Sequence, residues 1–273
     1  MRSKNISYQS SKLLNHLLVT NKEFFTTSDV TTILSESKPS SIRELLSDMV
    51  ERGLILRIKN GLYCIIPYER ESLTYFPDWH LVAEALVQNK HYYIGLYSAL
   101  NIHNLLTQPS LKEQIITHVR IRPKTQRVKN RRFEFITIKN DLFFGYKKTW
   151  IDDFNKINCS DLEKTFVDCF YIPGYAAGII EIVKALYRGR NKINENRLIE
   201  YVQKFEIQSV IKRMGYIFES LNLFPSFIEE MKKEISASYI ILDPSRPKEG
   251  KSHSNWRVID NIGIKNIIES LKT

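Results

Sequence analysis

Between residues 37 and 66 the alternation of apolar and polar positions switches from a helical to a strand-like period. Ile42, Leu45, Leu46 and Met49 fall at i, i+3, i+4 and i+7, the stripe of an amphipathic helix over 37–53. Ser37 is placed to cap its start and Gly53 to stop it. Residues 54–59 and 62–66 then read as two short strands joined by Asn60-Gly61, a hairpin turn that wants positive φ at both positions. Upstream, Leu13, Leu14, Leu17 and Leu18 predict a helix over 11–19. Thr27, Ser28, Asp29 and Val30 open a second short helix that ends before Ser35.

Three helices followed by a basic hairpin within residues 1–70 match a winged helix-turn-helix. On that reading the exposed face of the third helix, with Ser40, Ser41, Arg43, Glu44 and Ser47, lies along the major groove of DNA. Arg57, Lys59 and Asn60 on the wing then reach the phosphate backbone or the minor groove. A winged helix used only for protein contacts is the competing reading.

A linker with Pro67 and Pro77 spans 67–78, and the pattern changes after it. Helices are predicted over 79–88, 96–106, 162–170 and 176–187, with strands over 92–94, 115–122 and 132–138 and a weaker one over 142–150. Ser160 or Asp161 caps the helix at 162, and Pro173-Gly174 breaks the chain before 176. Phe133, Phe135 and Thr137 alternate with Glu134, Ile136 and Ile138, so neither face of that strand is purely polar and a covered sheet is expected. Residues 196–205, 209–221 and 226–235 carry helical stripes. The expected fold class is α+β: an N-terminal winged helix-turn-helix (1–70), a mixed α/β domain with a small sheet (79–190), and a helical C-terminal part packed on it (191–273).

Composition sharpens the choice of partner. The 273 residues carry a net charge of +10 and are 43% hydrophobic, enough for a sizeable core and a bias toward polyanions. Arg120, Arg122, Lys124, Arg127, Lys129, Arg131 and Arg132 crowd one segment without an acidic residue, read as a loop between two strands. Such a cluster binds an anionic partner, or else is a solvated loop that guards an edge strand. Cys64, Cys159 and Cys169 are too scattered for a disulfide framework or a zinc site, and the six histidines lack ligand spacing. No metal or cofactor is expected. With no leader-like apolar segment after Met1 and no apolar run of membrane length, a cytoplasmic, membrane-free protein is expected.

Candidate chemistry is sparse. Ser98, His103 and Asp168 could be drawn as a triad, but no nucleophile elbow presents the serine. Asp161, Glu163 and Lys164 read as a helix-capping pattern, Asp243 before Pro244 as a turn former, and Trp256 as a core or lid aromatic.

The order of three motifs is more specific. Tyr92-Tyr93-Ile94-Gly95-Leu96-Tyr97-Ser98-Ala99-Leu100-Asn101-Ile102-His103 is followed by Ser160-Asp161-Leu162-Glu163-Lys164-Thr165-Phe166-Val167-Asp168, and then by Gly178-Ile179-Ile180-Glu181-Ile182-Val183. This succession resembles the C-terminal domain of the AbiEi antitoxins of type IV toxin-antitoxin systems. Gly61-Leu62-Tyr63 resembles that family's wing, and the tail over 239–261 is similar in style. The paired glycines common there before the next helix are reduced to Ala177-Gly178. The resemblance, over roughly 8–262, implies a non-enzymatic repressor of its own operon. Its N-terminal module would bind operator DNA, and its C-terminal domain would counter a nucleotidyltransferase-like toxin with or without a direct complex. The alternative is a nuclease with a winged-helix targeting module.

Overall fold

The computed structural model describes residues 6–88 and 90–271. The chain divides into two compact units, 1–90 with 127–131, and 91–126 with 132–273. The boundary therefore falls near 90, beyond the linker that separates the expected domains, and the C-terminal third shares one core with the region before it.

In the first unit α1 (Tyr8–Val19) is capped by Ser7 and buries Leu13 and Leu17, while Leu18 stays exposed. A strand absent from the sequence reading, β1 (Phe24–Thr26), leads into α2 (Thr27–Ile33). Thr26 and Asp29 close a reciprocal capping box there. The third helix, α3 (Pro39–Glu51), starts on Lys38 with Pro39 in its first turn, not on a Ser37 cap, because the fixed φ of proline is already helical. Gly53, at φ +69°, ends it. β2 (Ile55–Lys59) and β3 (Leu62–Ile65) pair antiparallel, and β1 adds on the far side of β3, giving the order β1-β3-β2. Ile42, Leu46 and Met49 of α3 join Leu13, Leu17, Phe25, Val30 and Tyr63 in one core, as their spacing requires. After the irregular stretch 66–78 comes α4 (Trp79–Val87), capped by Asp78.

The second unit is built on a mixed sheet ordered β6-β7-β5-β4-β9-β8. Its strands are β4 (Tyr92–Ile94), β5 (Lys112–Thr117), β6 (Thr125–Val128), β7 (Arg131–Thr137), β8 (Tyr146–Trp150) and β9 (Lys156–Ser160). Residues 127–131, which are the end of β6, the turn after it and the first residue of β7, count with the first unit. Around the core run α5 (Leu96–Ile102), α6 (Leu162–Tyr171), α7 (Ile179–Gly189), α8 (Glu195–Phe205), α9 (Gln208–Leu221) and α10 (Pro225–Lys232). α5 stops earlier than its apolar spacing predicts, since Asn104 turns to φ +57°. α7 starts later, at Ile179, because Ala177 and Gly178 both take positive φ after a 3₁₀ turn at Pro173–Ala176. The C-terminal third also holds a small sheet of β10 (Ile240–Ile241), β11 (Lys251–His253) and β12 (Val258–Asp260), then α11 (Ile264–Ser270). Trp256 is fully buried, stacked where a side chain on Gly215 would otherwise lie. The fold is thus mixed α and β with several sheets. Among the described residues no helix is long and apolar enough to cross a membrane, and all three cysteines are free and buried.

Candidate nucleic-acid interface

Local rules put the candidate DNA-contacting residues of α3 on one surface. With Ile42, Leu46 and Met49 turned inward, Ser40, Ser41, Arg43, Glu44 and Ser47 are all exposed. Arg43 rests its Nε on the Pro39 carbonyl at 3.3 Å and keeps the rest of its guanidinium to solvent. Arg57 is exposed and lies 5.8 Å above the Tyr63 ring. Asn60 is exposed, but only Gly61 of the turn takes positive φ, at +77°, and the ladder shifts register between Arg57 and Lys59. The extra twist of that bulge does the work that a second left-handed residue would have done. The turn is also tied down, since the Thr27 amide donates to the Gly61 carbonyl at 3.1 Å.

Lys59, the third of the candidate wing residues, is half-buried and engaged within the chain. Its Nζ donates to the Leu86 carbonyl in the last turn of α4, at 3.1 Å, where a cation favours the helix dipole. Burial, together with nearby Lys90, lowers its ammonium pKa below the ordinary value. The contact binds the hairpin to α4 through a charge engaged within the chain.

The seven cations between 120 and 132 are all exposed, but they are not one loop. A strand, β6, runs through the segment, and the two units divide it. Lys129 donates to three carbonyls of the linker, Ser72 at 3.2 Å, Leu73 at 3.2 Å and Tyr75 at 2.8 Å, and so gathers 72–75 around one ammonium. Arg131 lies 5.2 Å over the Trp79 ring. Arg120, Arg122, Lys124, Arg127 and Arg132 remain directed to solvent.

Polar side chains read as a capping pattern or a turn former are buried in the second unit. Asp161 does cap α6, accepting from the Lys164 amide at 2.9 Å, and it also accepts from the Tyr201 hydroxyl at 2.7 Å. Glu163 is buried against the Asn194 amide at 2.7 Å and Arg197 at 3.3 Å. Lys164 is fully buried; it pairs with Asp168 one turn on, donates to the Tyr93 hydroxyl at 3.1 Å, and sits among the rings of Tyr93, Phe144 and Phe205. Burial pushes the Lys164 ammonium down and the Asp168 carboxyl up, while their mutual attraction pulls both back.

The drawn triad does not assemble. Ser98 lies inside α5 and donates to the Lys112 carbonyl at 3.0 Å, His103 meets the Ser160 carbonyl at 2.9 Å, and Asp168 belongs to Lys164 and Tyr93. Asp243 does more than turn the chain: buried, it accepts from the Ile179 amide at 3.2 Å and from Ser245. The sequence reading missed Lys212 and Arg213, which are buried beside the apolar stripe of α9. Lys212 donates to Ser236 at 2.8 Å, and Arg213 to the carbonyls of Phe170 at 2.9 Å and Leu242 at 3.0 Å. Burial draws the Arg213 guanidinium down to about 10. Among the described residues no group of three or more His, Cys, Asp or Glu side chains is arranged to hold a metal ion.

No family model matches the chain, and no curated protein does. A solved structure does: the crystal structure of the RV2827C protein from Mycobacterium tuberculosis superposes with a TM-score of 0.73 over 99% of this chain and 97% of that one, at 13% identity. At that identity the similarity is one of fold.

Proposed function

We propose that the first unit is a winged helix-turn-helix that binds double-stranded DNA. We further propose that the protein is an autorepressor and the antitoxin of a type IV toxin-antitoxin pair. The observation that carries the DNA reading is α3: its inward stripe leaves Ser40, Ser41, Arg43 and Ser47 together on the outer face, and its neighbour β2 brings exposed Arg57. Serine hydroxyls and a guanidinium are donors for phosphate oxygens and for acceptors on base edges in the major groove. Arg57 and Asn60 serve the phosphate backbone from the wing, and Lys59 holds the wing in place. The antitoxin half of the reading rests on the ordered motifs of the second unit, which resemble the AbiEi antitoxins; its partner is a nucleotidyltransferase-like toxin.

The test is a gel-shift titration with duplex DNA from upstream of the protein's own gene, alongside growth rescue when the adjacent gene product is co-expressed. Salt-sensitive, sequence-selective binding supports the regulator. Absence of duplex binding at low salt would remove it, and absence of rescue would remove the antitoxin role.

A further inference from the structure

One cleft of the second unit remains unexplained by contacts with duplex DNA. Arg120, Lys124, Thr137, Tyr171 and Tyr175, with three isoleucines, enclose about 290 Å³, and no carboxylate lines the space. Among the described residues neither the Arg120 guanidinium nor the Lys124 ammonium has an ion pair or a hydrogen bond, and the hydroxyls of Tyr171 and Tyr175 have no partner either. Cations with a structural duty in this chain are engaged: Lys112 with Glu134 at 2.6 Å, Lys129 with three carbonyls, Lys164 with Asp168. Two unengaged like charges on one concavity repel each other and make it a positive site for an anion.

The shape narrows the anion. The volume lies near the lower limit of small-ligand pockets, which run upward from about 300 Å³, and it is far too small to seat a duplex. The walls are divided in chemistry, with cations and hydroxyls together with isoleucine and tyrosine surface. The Tyr171 ring is held edge-on to Phe205, centroids 5.2 Å apart, so that wall is rigid. An inorganic anion would use only the charged part. A nucleotide would use both, its phosphate on Arg120 and Lys124 and its base against the tyrosine and isoleucine side. We propose that this cleft binds a nucleotide, either free or as the end of a single strand.

Calorimetric titration of the full chain with each nucleoside monophosphate, with ATP, with a short oligothymidine and with inorganic phosphate tests this. Saturable binding of a mononucleotide, or of the oligonucleotide alone, is expected, the arms identifying which source the cleft takes. Arg120→Ser/Lys124→Ser should weaken it by roughly tenfold or more, the loss expected for charge-assisted contacts, with an unchanged melting temperature. Should that double variant melt early, Lys124→Gln alone is the substitute, and it should still weaken binding. Tyr175→Leu should weaken nucleotide more than phosphate. The proposal is overturned if no probe saturates, if the cation variants bind as wild type does, or if phosphate binds as tightly as the nucleotides. It is equally overturned if the cation variants lose operator duplex in the same proportion as nucleotide, which would make the cleft an extension of the duplex contact.

Discussion

Arg43 and Lys59 look alike in the sequence, two cations on a basic module, yet Arg43 is exposed and Lys59 is half-buried against α4. Arg43→Ala removes an exposed guanidinium, so operator affinity should fall and the slope of log K against log salt should shrink by about 0.9, with the melting temperature unmoved. Lys59→Ala removes a hydrogen bond to Leu86, so denaturant titration should record a loss of about 1 kcal/mol, with a smaller change in the salt slope than Arg43→Ala produces. Buried charge behaves differently again. Lys164→Met strands Asp168 in the core and should cost about 3–5 kcal/mol in urea unfolding, whereas Lys164→Met/Asp168→Leu removes both charges and should cost less than the single change. A double variant as damaged as the sum of the singles would show that the pair is not coupled.

At the scale of elements, the short helix α2 depends on its cap. Thr26→Ala should destabilise the protein by about 1 kcal/mol in thermal or denaturant unfolding. Burial works against the Asp29 carboxylate, but hydrogen bonds from Lys22 and Thr26 outweigh it and hold its pKa below the ordinary 3.8. A carboxylate whose pKa is depressed on folding stabilises the protein above its unfolded value, and that contribution is lost as pH falls through the folded one. Asp29→Asn should therefore flatten the acid limb of the stability curve below about pH 4 while leaving a constant deficit at neutral pH. The linker is an element of the same kind, held from outside itself. Lys129→Ala should speed amide exchange at Tyr75, whose N–H bonds to the Glu71 carbonyl just before the gathered stretch, without slowing or speeding exchange in α6.

For the whole molecule the relevant division is the one near residue 90. A fragment beginning at 91 retains the second unit's core from Tyr93 through Leu271, and cooperative unfolding of that fragment is the expected outcome. It should fail to shift operator DNA and, on the AbiEi resemblance, still neutralise the toxin in a growth assay. A folded fragment that cannot neutralise would place the antitoxin activity in the first unit or in both together. The overall charge of +10 adds a nonspecific attraction to any polyanion, so specific affinity has to be read as the ratio to a scrambled duplex at the same salt.

What the chain could determine alone was whatever acts within a turn or two of backbone. The stripe of Ile42, Leu46 and Met49, the Asp161 cap, the stop at Gly53 and the hairpin centred on Gly61 are all local, since each depends on neighbours a few positions away. β1, β6 and β9 escaped because strands of three to five residues carry little periodicity of their own and are defined by partners far along the chain, as Phe25 is by Tyr63. The same holds for the charges. Sequence placed Lys59 on the wing, Lys129 in a basic cluster and Lys164 in a capping pattern, and passed over Lys212, because a lysine's long stem permits either exposure or burial. Only the tertiary structure decided which ammonium groups met a carbonyl, a carboxylate or a hydroxyl from a distant segment, and so which cations, Arg43, Arg57, Arg120 and Lys124 among them, remained available to an anion from outside.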